Sequence, residues 1–304
     1  MPQCACLMDA AGFPGFEGPV PNLSQQGECM NRKEDLIAVF DSGVGGISVL
    51  RHLVKMLPGE RLLYYGDSAN APYGIRSKEE VRALTFAAAE KLMERGLKAQ
   101  VIACNTATSA AINELRAAYP DLIVIGIEPA IKLAADLYPT GNIGIMATPM
   151  TLREEKLSSL LSRYGEESCT FYKLPAPDLV ELVEAGKGNS PEAEQMLRQL
   201  LEPYKDSLNA LVLGCTHYPF ASRVLHRILG PDVTLLDGGE GTARETRRRL
   251  QEADLLESGA GQVEILNSSS DPALIALSRD LLSSPYEDPS SCRPGDTTEE
   301  QQYE

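Results

Sequence analysis

The sequence predicts an α/β protein made of two similar parallel-sheet domains around a central cleft. First, short apolar runs alternate with helical patterns along most of the chain, and that alternation builds parallel sheets with right-handed crossovers. Second, 304 residues exceed one ordinary domain, so roughly 250 structured residues divide more naturally into two units than into one oversized sheet. Third, the chain rhymes weakly with itself. A strand ending in Asp41-Ser42-Gly43 is followed, 63 positions after Asp41, by one ending in Ala103-Cys104-Asn105-Thr106. A strand ending in Thr148-Pro149 is followed, 67 positions after Thr148, by one ending in Gly214-Cys215-Thr216-His217.

Taken in order, residues 1–33 carry Gly, Pro, Ser and Gln without sustained periodicity and read as a flexible extension. Strands are expected over 36–40, 61–65, 100–103, 122–127, 142–147, 169–174, 210–213, 233–236 and 263–266, short and apolar as in sheets covered on both faces. Ser77 with Glu80, Thr151 with Glu154 and Thr242 with Glu245 read as capping boxes at helix starts. Ser190-Pro191 and Asp271-Pro272 set a capping side chain before a first-turn proline. Gly96, Gly165 and Gly230 sit where helix ends need a left-handed residue. The domains then run 34–128 plus 238–284, and 129–237. A tail over 285–304 holds six acids against Arg293 and reads as a solvated, flexible end.

Composition narrows the function. Apolar residues make up 43% and charged residues 23%, ordinary globular usage. A net charge of −15 disfavours nucleic acid and anionic membranes, both of which need clustered Lys and Arg. No uncharged apolar run reaches a membrane span, and no basic residue precedes Arg32 to form a secretory n-region. Seven unevenly spaced cysteines resemble no disulfide framework and fit a reducing cytoplasm.

Two of those cysteines fall where ligands bind. The carboxyl ends of strands line the crevice of open α/β sheets, and Cys104 and Cys215 each follow an apolar strand. Taken singly, either is as well explained as a small core residue. As a pair at matching strand tips they suggest two thiols facing one cleft. His217, two residues from Cys215, could hold or receive its proton, and Asp41 could serve Cys104 likewise or simply cap a helix. His52 and His226 fall on helical patterns that suit the surface.

Gly43-Val44-Gly45-Gly46 follows a strand and opens a helix, and Asp67 comes 21 residues after Gly46 at the end of the next strand, which is most of a dinucleotide-binding fingerprint. Ser48 stands where the third glycine belongs, and Asp41 would repel a pyrophosphate. The glycines fit better as backbone donors to a carboxylate. Cys215-x-His217 and Cys4-x-Cys6 lack partners at zinc-site spacing, so no metal is expected.

With these residues on the page, a family resemblance emerges. Phe40-Asp41-Ser42-Gly43-Val44-Gly45-Gly46, Ala71-Pro72-Tyr73-Gly74, Ala103-Cys104-Asn105-Thr106-Ala107 and Gly214-Cys215-Thr216-His217-Tyr218-Pro219 together resemble the glutamate racemase family. Gly-Cys-Thr-His resembles the glutamate rather than the aspartate branch of the Asp/Glu racemases. The resemblance implies flavodoxin-like domains in pseudo-two-fold arrangement and a cofactor-independent two-base mechanism. In it Cys104 acts on D-glutamate with Asp41 as helper, and Cys215 acts on L-glutamate with His217 as helper. It implies substrate contacts from Asp41, Ser42, Tyr73, Gly74, Asn105, Thr106, Thr148, Thr216 and His217, with Thr151 a weaker match. Glu184 matches a glutamate assisting the His217 side; an exposed helix acid explains it equally well. The resemblance also implies a homodimer, a role in supplying D-glutamate for peptidoglycan, and, by position of the extension only, a peptidoglycan-precursor activator. Gly238 departs from the family's Asp-Ser-Gly pattern beside Asp237. The alternatives are a racemase or decarboxylase of another small acid, such as aspartate or a hydantoin, or a small-ligand binding protein on the same scaffold.

Overall fold

The computed structural model describes residues 32–155, 157–158, 161–162 and 169–284. Positions 1–31 of the extension, Gly165 and the 285–304 tail lie outside the described residues, as do Cys4, Cys6, Cys29 and Cys292.

Strands β1 (Leu36–Asp41), β2 (Arg61–Gly66), β3 (Leu97–Ile102), β4 (Ile123–Gly126) and β9 (Gln262–Asn267) form a five-stranded sheet ordered β4-β3-β1-β2-β9. Strands β5 (Asn142–Ala147), β6 (Thr170–Pro175), β7 (Ala210–Leu213) and β8 (Thr234–Asp237) form a second, ordered β6-β5-β7-β8. All pairings are parallel. Read from the same end without β9, the orders coincide: β2-β1-β3-β4 and β6-β5-β7-β8. Strand β3 is thus the counterpart of β7, and the cysteines that follow them hold equivalent places in two α/β domains.

The helices are α1 (Ile47–Met56), α2 (Lys78–Met93), α3 (Asn105–Ala118), α4 (Ile131–Leu137), α5 (Pro149–Arg153), α6 (Asp178–Glu184), α7 (Pro191–Leu201), α8 (Ser222–Leu229), α9 (Gly239–Glu252) and α10 (Pro272–Ser283). Alternation along central strands fills two cores. From β1, Ile37 and Val39 join one cluster while Leu36, Ala38 and Phe40 join another on the opposite face. From β7, Leu211 and Leu213 divide from Ala210 and Val212 in the same way. Continuous apolar runs in these strands are the direct consequence of covering both faces.

Several expectations are corrected. Strand β3 begins three residues earlier than its apolar run, because Lys98 is buried within it against Glu60, with 2.6 Å between Nζ and Oε2. Edge strand β9 is not covered on both faces: Gln262, Val263 and Glu264 are exposed, and Arg95 pairs with Glu264 at 2.9 Å. Edge strand β6 is likewise mostly exposed or half-buried. Ser77 and Glu80 form the expected reciprocal box, and Ser190 and Asp271 cap α7 and α10. Thr151 does not cap; Thr148 does, and Thr151 lies inside α5. Thr242 is also inside its helix, its hydroxyl donating to Gly238 O at 2.7 Å, because the Asp237 carboxylate draws the start back by accepting from Gly239 N–H. Gly96 and Gly230 have φ of 75° and 80°, the left-handed backbone that favours glycine. His52 is buried rather than superficial, packed so closely on Gly239 that a Cβ there would lie 2.6 Å from its Cδ2.

Candidate active site

A cavity of about 280 Å³ opens between the two domains, and Cys104 and Cys215 both line it. Ser42, Tyr73, Gly74, Asn105, Thr106, Thr148, Thr216 and His217 share its wall. The matching strand tips therefore do face one cleft.

Cys104 is the N-cap of α3. Its Sγ accepts from Ala107 N–H at 3.4 Å and donates to Ser42 Oγ at 3.5 Å. Burial, reinforced by the charge of Asp41, pushes this thiol up to about 12, so it stands protonated as a proton donor.

Cys215 has a different partner. Its Sγ lies 3.7 Å from His217 Nδ1, and His217 Nε2 lies 2.6 Å from Glu184 Oε1. Burial favours neutral imidazole, but Cys215 and Glu184 outweigh it and hold His217 well above its ordinary value. Burial likewise opposes the Glu184 carboxylate, yet His217, Val44 N–H and Ser68 bring it below the usual range. The two thiols are thus unequal: one is capped by a hydroxyl and a helix amide, the other by an imidazole–carboxylate pair.

Glu184 was the least distinctive acid in the sequence, and the glycine loop explains its place. Val44 N–H donates to Glu184 Oε1 at 2.7 Å, and a Cβ at Gly43 would overlap the same carboxylate. A Cβ at Gly45 would lie 2.6 Å from His217 Cε1 and 2.7 Å from Cγ. The loop therefore receives a carboxylate, as the backbone-donor reading expected, but one belonging to the chain itself. That occupancy, and not only the missing third glycine, disposes of the dinucleotide reading. Ser48, standing at the third-glycine position, donates to Gly45 O and to Thr216 O. Asp67 is also engaged, accepting from Tyr73 OH at 2.6 Å and from Asn70 Nδ2.

Asp41 is the main departure from the expected site. It is wholly buried, does not line the cavity, and accepts from Gly43 N–H at 3.0 Å and Thr216 Oγ1 at 2.9 Å. With both oxygens so used, its influence on Cys104 is through charge, and Ser42 makes the hydrogen bond. Tyr73 gives its phenol to Asp67, so it offers the cavity its ring and backbone. Thr106, Thr148 and Thr151 form a hydroxyl cluster across the domains at 3.0–3.5 Å. Asn105 Oδ1 is buried without a hydrogen-bond partner in the described structure. Pro72, Ile75, Pro149, Pro177, Asp178, Val180 and Glu181 complete the wall and were missed. Helical spacing, which sets Val180 and Glu181 on adjoining faces of α6 with Glu184, was the available signal for two of these neighbours. Among the described residues no cluster of His, Cys, Asp and Glu has the makings of a metal site.

The family model for Asp/Glu/Hydantoin racemase matches residues 37–246. A glutamate racemase of Clostridium botulinum is 48% identical over 258 residues, covering 84% of this chain and 100% of the relative. A glutamate racemase structure from Bacillus anthracis superposes with a TM-score of 0.74 at 32% identity, covering 83% of this chain and 95% of that one. A structure of Escherichia coli glutamate racemase in complex with L-glutamate and the activator UDP-MurNAc-Ala gives a TM-score of 0.70 at 30% identity, covering 82% and 92%.

Proposed function

The chain belongs to the glutamate racemase family of the Asp/Glu/hydantoin racemases, and from that premise we propose that it interconverts L- and D-glutamate with two cysteine bases and no cofactor. The observation that carries this reading is the pair of unequal thiols, Cys104 and Cys215, lining one cavity.

On L-glutamate, the Cys215 thiolate takes the α-proton while Cys104 gives its thiol proton to the opposite face. On D-glutamate the roles reverse. Each turnover leaves the proton on one cysteine and the thiolate on the other, so solvent exchange resets the pair. An α-proton is far less acidic than a thiol, and the site must stabilise a carbanion-like state with fixed dipoles. The N-terminus of α3, which Cys104 caps, would supply such dipoles. His217 Nδ1 lies 3.7 Å from Cys215 Sγ, within reach of its proton. Asn105 Oδ1, buried and unpartnered, suits the substrate ammonium. An acidic chain thereby binds an anionic amino acid with backbone dipoles rather than with net charge.

The decisive measurement is α-proton exchange in deuterated water by proton NMR, starting from each enantiomer. Exchange with racemisation of glutamate is expected, and Cys104→Ala and Cys215→Ala should each abolish racemisation with the fold intact. Racemisation of aspartate or a hydantoin alone, or binding without exchange, refutes the proposal. The same reading places the enzyme in the cytoplasm as a source of D-glutamate for peptidoglycan; among the described residues no helix is long and apolar enough to cross a membrane. A homodimer is tested by sedimentation. Activation is tested by turnover with and without UDP-MurNAc-Ala, where equal rates remove it.

A further inference from the structure

The Cys215 side of the cavity is completed by the other domain. Glu184 stands on α6, yet its carboxylate reaches across to the first domain, where it accepts from Val44 N–H at 2.7 Å and from Ser68 Oγ at 3.3 Å. Ser68 is in turn held by Asn267, whose Nδ2 donates to Ser68 Oγ at 2.9 Å. The direction of this chain is fixed at its far end. Asn267 Oδ1 accepts from Ser269 N–H at 2.8 Å, so the amide must present its NH₂ to Ser68. With its oxygen accepting from Asn267, Ser68 has its proton free to donate, and Glu184 Oε2 takes it.

Topology brings the members together. Asn267 is the last residue of β9 and lies opposite Gly66, the last of β2, whose chain then runs on to Ser68. Gly66 has to lack a side chain, since a Cβ there would lie 2.5 Å from Gly43 O and 3.0 Å from Asn267 Nδ2. An edge strand that adds nothing to the two-fold strand order thus ends at Ser68, the residue that donates to Glu184.

We infer that Ser68 and Asn267 are positioning residues for the Cys215–His217 pair: they anchor the Glu184 carboxylate to the first domain, so that His217 is held on Cys215 only when the domains are together. The inference rests on the two-base reading above. It makes the L-side proton transfer dependent on domain apposition, whereas Cys104 takes its partners, Ser42 and Ala107, from its own domain.

The test uses the full-length protein. Ser68→Ala should lower kcat/KM about threefold to tenfold, the scale of one modest hydrogen bond, and Ser68→Thr, which keeps the hydroxyl, should restore most of it. Because L- and D-glutamate are equal in free energy, kcat/KM falls equally in both directions, and the discriminating readout is the isotope effect. Slowing only the Cys215 step makes that step more rate-limiting. The effect with α-deuterated L-glutamate should rise while that with α-deuterated D-glutamate falls. On a Glu184→Gln background, Ser68→Ala should add less than it costs alone. Isotope effects that stay unchanged or move together, or full additivity with Glu184→Gln, overturn the inference. Wild-type protein that fails to exchange the α-proton of glutamate overturns the proposed function instead, so the two failures are distinct.

Discussion

Gly45→Ala is expected to disable the enzyme without unfolding it. The added methyl would lie 2.6 Å from His217 Cε1 and 2.7 Å from Cγ, closer still to Nδ1. The ring has little room to give way, since it is 2% exposed and held between Glu184 at 2.6 Å and Cys215 at 3.7 Å. To regain ordinary separation it must retreat by about 1 Å, and a displacement of that size at a catalytic group costs roughly 100-fold in rate. Retreat from Gly45 lengthens either the bond to Glu184 or the contact with Cys215, and in the proposed mechanism both serve the same proton transfer. Racemisation followed by circular dichroism of glutamate should therefore show kcat/KM reduced about 100-fold from either enantiomer. The melting temperature should fall by only a few degrees, because Gly45 sits in the buried connection between β1 and α1 and not within a sheet. Gly241→Ala is the control: nothing lies within 4 Å of its Cβ position, and activity should be unchanged. Activity of Gly45→Ala within threefold of wild type would show that His217 is not held where the argument requires it.

Further outcomes follow from buried polar groups. Lys98 and Glu60 are 0% and 1% exposed, and Lys98 Nζ also donates to Lys33 O and Leu255 O. Lys98→Met strands the Glu60 charge and should cost about 3–5 kcal/mol in urea unfolding; a loss below 1 kcal/mol refutes the pairing. Gln100 has neither amide atom hydrogen-bonded in its buried position, so Gln100→Met should stabilise by about 1–3 kcal/mol, and a destabilised variant would count against this. For the His217–Glu184 pair the signs differ by partner. His217 is raised above 6.5 by folding, so its contribution is complete below pH 6.5 and lost as pH rises through the folded value. Glu184 is lowered below 4.5, so its contribution is present above pH 4.5 and lost as pH falls through the folded value. The stability difference between wild type and Glu184→Gln should therefore peak between these limits. A flat difference across pH would remove the ion pair.

Motif and periodicity reached different depths of this molecule. The strand tips, the two cysteines and His217 were legible because apolar runs end abruptly at polar turns, and such boundaries are local. Lys98 hid the start of β3 because a buried polar residue breaks the pattern that marks a strand. Thr151 and Thr242 satisfied a capping spacing that other residues had already taken. Asp41 carried the family's motif, but its hydrogen bonds go to Gly43 and Thr216, a partner 175 residues away that no spacing encodes.

The sequence by itself determined the α/β class, the two-domain repeat and the identity of the paired thiols. Those follow from periodicity and from which residue stands at each strand end. Only the tertiary structure decided that the glycine loop holds Glu184 instead of a cofactor phosphate, that Glu184 belongs to His217, and that β9 ends at Asn267 on Ser68, which donates to Glu184. Each of these depends on a contact between residues distant in the chain, which no local spacing encodes, and a missing Cβ matters only for what comes to fill its place.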